Sequence, residues 1–182
     1  LGHGSSVAGV IGANGNNAIG MAGVDWNCKL MICKVLDATN YGSYADIADA
    51  IYYATNNGAD IINMSFSGGS SSVISNAVQY AWNNNVVMCA ASGNGNTSVP
   101  SFPAADSLVL AVGGSNAWDV RYQFSNYGSH IDVVAAGDYI YVLDYANFSN
   151  YGTYSAGTSL ASPFVAGVAA LLKAQNPART NQ

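Results

Sequence analysis

A chain of 182 residues, 50% of them hydrophobic, is long enough to bury one core and form a single domain over 1–182. Only 8% of residues are charged, the formal net charge is -5, and the five cations (Lys29, Lys34, Arg121, Lys173 and Arg179) form no stripe, so the electrostatic footprint of a nucleic-acid binder is absent. All ten acids are aspartate, solubility rests on short neutral side chains in the manner of a secreted surface, and no apolar run reaches the roughly 18 residues of a membrane span.

The first element opens at once. His3, between Gly2 and Gly4, stands at the entrance of SSVAGVIGA, which reads as an apolar helix with its free N–H groups and positive dipole end beside the histidine. After the loop IGANGNNAIGMAG, apolar runs alternate with helical patterns: KLMICKVL, YADIADAIYYATNNG, ADIINMSF, VISNAVQYAWNNN, VVMCAAS and SLVLAVGG. This is the rhythm of an α/β fold, a parallel sheet covered on both faces. Gly58 follows the first of these helices as a C-cap, and Asn83 to Asn85 close the second. Beyond Gly113, RYQFSNYGSHIDVVAAGDYIYVLDYANFSNYGTY reads as irregular strands and hairpins along an edge. The last element, from about Ser159 to Ala174, is apolar nearly all round and is expected to be a buried helix.

Cys28, Cys33 and Cys89 have neither a metal-ligand spacing nor the density of a disulfide framework, and Cys33 and Cys89 lie in apolar runs where free cysteine acts as a small hydrophobe. No signal peptide with a basic start is present, so the chain is read as mature or cut from something longer.

Ser159 in GTSLA has Gly157 and Ala161 beside it, which suits a hydroxyl projecting from the mouth of a helix, although a serine there also serves as a helix cap. No histidine follows Ser159, which excludes the chain order of the α/β-hydrolases. His3 and His130 are the two candidates for a neutral base. His130, in NYGSHID, reads as a solvated loop histidine, whereas the glycines around His3 leave room for a substrate backbone.

These segments resemble one family. GHGSSVAG resembles the histidine motif of subtilisin-like serine proteases, GTSLASPFVAG their nucleophile motif, and AASGN, with Asn94, their oxyanion-hole motif. NNAIGMAG, KVLDATNYGSY, DIINMSFSGG and SFPAADSLVLAVGG have counterparts in the same order. Ser6 stands where a second histidine is usual, Phe164 where a histidine follows the proline, and Ser67 where glycine is usual.

The resemblance implies a three-layer subtilisin-like fold, truncated at both ends, with a mostly parallel sheet and helices on both faces. It implies a secreted serine endopeptidase acting on proteins or peptides, with no nucleic-acid or membrane partner and no cofactor required for the chemistry. Ser159 would attack the peptide carbonyl, His3 would carry the proton, and the Ser159 N–H and the Asn94 amide would hold the oxyanion. Tyr41, Gly42 and Ser43 on one edge, and Ser65, Phe66, Ser67 and Gly68 on another, would sandwich the substrate as an added strand, with Ala91, Ser92 and Gly93 completing the primary pocket.

A structural calcium ion is also implied. The Asn17 side chain and the carbonyls of Gly15, Ile19 and Met21 would hold it, and the same loop reads equally as a plain Asn/Gly turn. The family's aspartate motif precedes its histidine, and none of the ten aspartates here lies in an Asp-Ser/Thr-Gly setting, so that residue is expected upstream of Leu1. An impaired homologue serving as a peptide-binding scaffold, and a structural surface module, remain open alternatives.

Overall fold

The computed structural model describes residues 2–144 and 152–182, so 145–151 of the edge hairpin region lie outside it. Its centre is a four-stranded parallel sheet made of β1 (Ile61–Met64), β2 (Val87–Ala91), β3 (Leu110–Ser115) and β4 (Val133–Ala136), in that spatial order. Ile61 is opposite Val87, Cys89 opposite Leu110, and Val112 opposite Val133. A two-stranded antiparallel pair, β5 (Ile140–Val142) and β6 (Thr153–Ser155), stands apart from it.

Alternation along the strands assigns the two faces, because successive side chains point to opposite sides. Met64, Met88, Ala90 and Ala111 pack with Ile47, Ile51, Ile74, Ala77 and Val78. These come from α2 (Tyr44–Asn56) and α3 (Ser72–Asn83), which cover one face. Cys89 and Val112 pack with Ala161 and Ala166 of α4 (Thr158–Gln175) on the other. There α1 (His3–Gly12) joins through a cluster of Val7, Val10, Val142 and Leu160. This is the expected α/β architecture with helices on both faces.

Helix ends follow the sequence punctuation. Gly58 adopts φ +80 just past α2, a conformation that a side chain resists, and Asn85 takes φ 63 past α3. Ser43 caps α2: its Oγ accepts the Asp46 N–H at 3.1 Å and donates to the Asp46 carboxylate at 2.7 Å.

Three expectations are corrected. KLMICKVL is not a strand, since 29–36 carry no regular secondary structure and Ile32 is 71% exposed. A strand exists only against a neighbour, and among the described residues none pairs with this run. Cys33, in the same run, is exposed rather than packed, whereas Cys89 is fully buried and burial pushes its thiol up to about 12. The final helix is buried only in its first half. Val168, Leu171 and Leu172 are exposed, because no described element covers that side.

Candidate active site

The carboxyl ends of β1 and β2 and the N-terminus of α4 meet at one place, the edge of a parallel sheet where α/β proteins bind ligands. Beyond β1 comes Ser65, beyond β2 come Ser92, Gly93 and Asn94, and Ser159 is the second residue of α4.

Ser159 is held from behind by its own carbonyl. Pro163 lies four residues further along α4 and has no N–H, so the helix cannot supply the bond that the Ser159 C=O would normally accept. The buried Ser65 Oγ–H supplies it instead, at 2.7 Å. Ser65 Oγ in turn accepts from Asn63 Nδ2 at 2.9 Å, and Asn63 Oδ1 accepts from the fully buried Ser162 Oγ–H at 2.7 Å. The start of α4 is thereby tied to β1 at two points.

Asn94 is held from the front. Its Oδ1 accepts the Thr158 N–H at 2.9 Å and the Thr158 Oγ1–H at 3.0 Å. A backbone N–H can only donate, so this contact fixes which end of the carboxamide faces Thr158 and leaves Nδ2 as a donor on the far side. Thr158 Oγ1 also accepts the Gly93 N–H at 3.1 Å. In the first turn of α4, the Ser159 N–H has no carbonyl inside the helix to bond. The Asn94 Nδ2 and the Ser159 N–H are thus two donors, one side-chain and one backbone, at the N-terminal end of α4.

His3 opens α1, preceded by Gly2 at φ 102. The α1–α4 packing through Val7 and Leu160 brings the two helices side by side. The imidazole is exposed on one side, yet the protein around it strips enough water to lower its pKa below the ordinary histidine value. Among the described residues no hydrogen bond joins His3 to Ser159.

His130 is half-buried rather than solvated. It packs within its own turn against Gly128, and its buried Nε2 meets no partner among the described residues. Several aspartates are engaged away from His3. Asp25, Asp37, Asp106 and Asp132 accept backbone N–H groups, Asp46 accepts the Ser43 Oγ–H, and Asp60 pairs with Lys173 at 3.8 Å.

On the expected substrate edges, part of the backbone is already bonded within the chain. Gly68 pairs with Phe102 through N–H···O bonds of 2.8 and 3.0 Å, and Phe66 and Ser67 lie between this pair and Ser65. Ser101 lies between the two expected pocket walls, its Oγ 3.5 Å from the Gly68 carbonyl and its Cβ 3.7 Å from the spot a Gly93 Cβ would take. Ala91, Ser92 and Gly93 are buried, so what they offer a ligand is backbone. The Tyr41 N–H and C=O both bond Asp37, while the Tyr41 side chain is 72% exposed. Tyr44, which sequence reasoning passed over, reaches across from this edge, its hydroxyl 3.2 Å from where a Gly69 Cβ would sit. Its signal was faint: one tyrosine among twelve.

In the candidate cation loop, Asn17 Oδ1 accepts the Ile19 N–H at 3.0 Å, closing an Asn turn with Asn16 and Ala18 both at φ 58. Gly15 lies against the Trp26 ring. Gly15, Asn17, Ile19 and Met21 include no carboxylate, and among the described residues no three His, Cys, Asp or Glu side chains gather. Neutral oxygens alone are a poor fit for a calcium ion.

Comparison with known proteins agrees with this fold. The sequence profile of the Subtilase family matches residues 1–182. The chain is 45% identical over 177 residues to the cell wall-associated protease of Bacillus subtilis (strain 168), covering 97% of this chain and 19% of that protein. It is 43% identical over 174 residues to the thermophilic serine proteinase of Bacillus sp. (strain AK1), covering 95% and 43%. The solved structure of a cold adapted subtilisin-like serine proteinase superposes with a TM-score of 0.87 at 32% identity, over 98% of this chain and 63% of that one. The chain therefore spans less than half the length of these two curated relatives.

Proposed function

Because this chain belongs to the subtilase family, we propose that it carries the nucleophile, the general base and the oxyanion donors of a secreted serine endopeptidase acting on protein or peptide substrates. The observation that carries this reading is the orientation of Asn94, whose Oδ1 is committed to Thr158, the residue before Ser159, so that the donor end of its amide, Nδ2, is turned away from Thr158.

The chemistry follows from the residues. His3 is kept neutral by desolvation, which suits a group that must accept a proton. It takes the Ser159 Oγ proton as Oγ bonds the peptide carbon, and later delivers that proton to the leaving amine. Charge building on the former carbonyl oxygen is met by the Ser159 N–H and Asn94 Nδ2, which need no rearrangement at that moment. The strand edges around Gly42 and Ser65 to Gly68 hold the substrate by its backbone, with Ser101 at the pocket between the second edge and Ala91 to Gly93. His3 would be oriented by an aspartate outside residues 1–182, since several of the aspartates present are bonded elsewhere. Those same bonds favour the second reading, a homologue that holds peptides without cleaving them.

Labelling with an aryl fluorophosphonate, in the chain and in a Ser159→Ala variant, tests the reading. Stoichiometric labelling lost on substitution supports the protease. Peptide binding without labelling supports the scaffold.

A further inference from the structure

We propose that Asn126 is a positioning residue for Asn94: it clamps the loop 92–97 into the shape that aims the Asn94 amide at the oxyanion. This rests on the protease reading above.

Asn126 follows β3 by a long loop and is 5% exposed. Its Oδ1 accepts the Gly95 N–H at 2.9 Å and the Thr97 N–H at 3.3 Å. Its Nδ2 donates to the Ser92 carbonyl at 2.8 Å, and its backbone N–H donates to the Gly93 carbonyl at 2.9 Å. These bonds land on both sides of Asn94 and none lands on Asn94 itself. Gly93 makes room for the clamp: at φ +101, a Cβ on it would come within 2.5 Å of Asn126 Nδ2.

The clamp has its own anchor in the sheet. Ser125 Oγ, 1% exposed, donates to the Asn126 carbonyl at 2.9 Å and accepts the Gly114 N–H of β3 at 3.0 Å. Arg121 Nη1 donates to the Ser125 carbonyl at 2.6 Å, with its guanidinium 4.8 Å from the Tyr127 ring centre. A hydrogen-bonded path therefore runs from β3 through Ser125 and Asn126 to either side of Asn94.

The loop needs such a frame. Asn94 is exposed, its side chain hydrogen-bonds Thr158 alone among the described residues, and its neighbours Gly93 and Gly95 leave the backbone many conformations to choose from. A donor preorganised for a developing charge loses its advantage when it wanders, and a displacement of about 1 Å can cost roughly 100-fold in rate. Asn126 removes that freedom with one planar amide that satisfies two N–H groups and one carbonyl at once.

The experiment measures the second-order rate of Ser159 modification by an aryl fluorophosphonate. The Oγ–P bond forms as fluoride leaves and the Oγ proton passes to His3, while the phosphoryl oxygen occupies the place of the oxyanion. The 182-residue chain is compared with Asn94→Ala, Asn126→Ala, their double variant, and Val78→Ala, a buried substitution in α3 that reports general loss of stability. Labelling should slow about 100-fold or more in Asn94→Ala and about 10- to 100-fold in Asn126→Ala. The double variant should be no slower than Asn94→Ala by more than about threefold, and Val78→Ala should label at the parent rate.

Asn126→Ala labelling as fast as the parent, with Asn94→Ala slow, overturns the positioning role and leaves the protease reading standing. Effects that multiply in the double variant overturn it as well, since Asn126 would then act independently of Asn94. An unlabelled parent, or Asn94→Ala labelling at the parent rate, overturns the reading of the site and this inference with it. If Asn126→Ala does not fold, Asn126→Ser is judged by the same outcomes.

Discussion

Pro163 leaves the Ser159 carbonyl without a helical partner, and the Ser65 hydroxyl donates to it at 2.7 Å. The proline that would ordinarily weaken a helix here frees a carbonyl through which the sheet grips the backbone of Ser159.

Ser65→Ala should therefore cost about 1–3 kcal/mol of stability, the range for leaving a buried acceptor unpaired. In a Pro163→Ala background, the restored N–H can bond the Ser159 carbonyl, and the same change should cost less. Urea unfolding of the four chains checks this, and equal costs in both backgrounds would remove the coupling.

The pH dependence follows from His3. Only the neutral ring can take the Ser159 proton, and desolvation places its pKa below the ordinary 6.5, so protonation sets in only as pH falls through that lowered value. The fluorophosphonate labelling rate of this chain should hold down to pH 6.5 and drop below it. A carboxylate brought beside the ring favours imidazolium, so a chain extended upstream with an Asp-Ser/Thr-Gly motif should show the drop at higher pH. A drop above 6.5 in the 182-residue chain contradicts the placement of the base.

Turnover should respond to the same extension. Loss of only the triad aspartate in a subtilisin costs roughly 30,000-fold in turnover, about 6 kcal/mol of barrier. Hydrolysis of a chromogenic peptide should rise by a factor of that order when the motif is supplied. Equal rates would mean that a group within residues 1–182 already orients His3.

Cleavage should favour large uncharged side chains before the scissile bond. The expected walls, Ser65 to Gly68 and Ala91 to Gly93, and Ser101 between them hold no acid, and burying an unpaired cation is costly. A peptide library cut chiefly after Lys or Arg would refute this.

Calcium should bind weakly to the loop around Asn17. Its single side-chain oxygen already accepts the Ile19 N–H, and no charge accompanies it. Titration calorimetry should show no tight stoichiometric uptake, and submicromolar binding would require ligands other than those named.

Much of this protein was legible in its sequence because the signals are local. Apolar periodicity located α2, α3 and strands β1, β2 and β3, and Gly58 and Asn85 marked where helices had to stop, since each φ/ψ choice depends on near neighbours alone. His3, Asn94 and Ser159 stood out for another reason: each sits in a short motif of small residues resembling that of a known family.

Pairing and satisfaction are different, because they depend on what lies across space. KLMICKVL has the composition of a strand, but composition cannot supply the neighbour that makes one. Asn126 is one polar residue in a polar loop until folding sets it 2.8 Å from the Ser92 carbonyl, 34 positions away in the chain. Ser65 and Ser159, 94 positions apart, become partners for the same reason. Short local motifs were enough to single out His3, Asn94 and Ser159 as the candidates for the chemistry. Only the tertiary structure decided which others hold them in place, since a buried hydrogen-bonding group takes whichever partner the fold brings within reach.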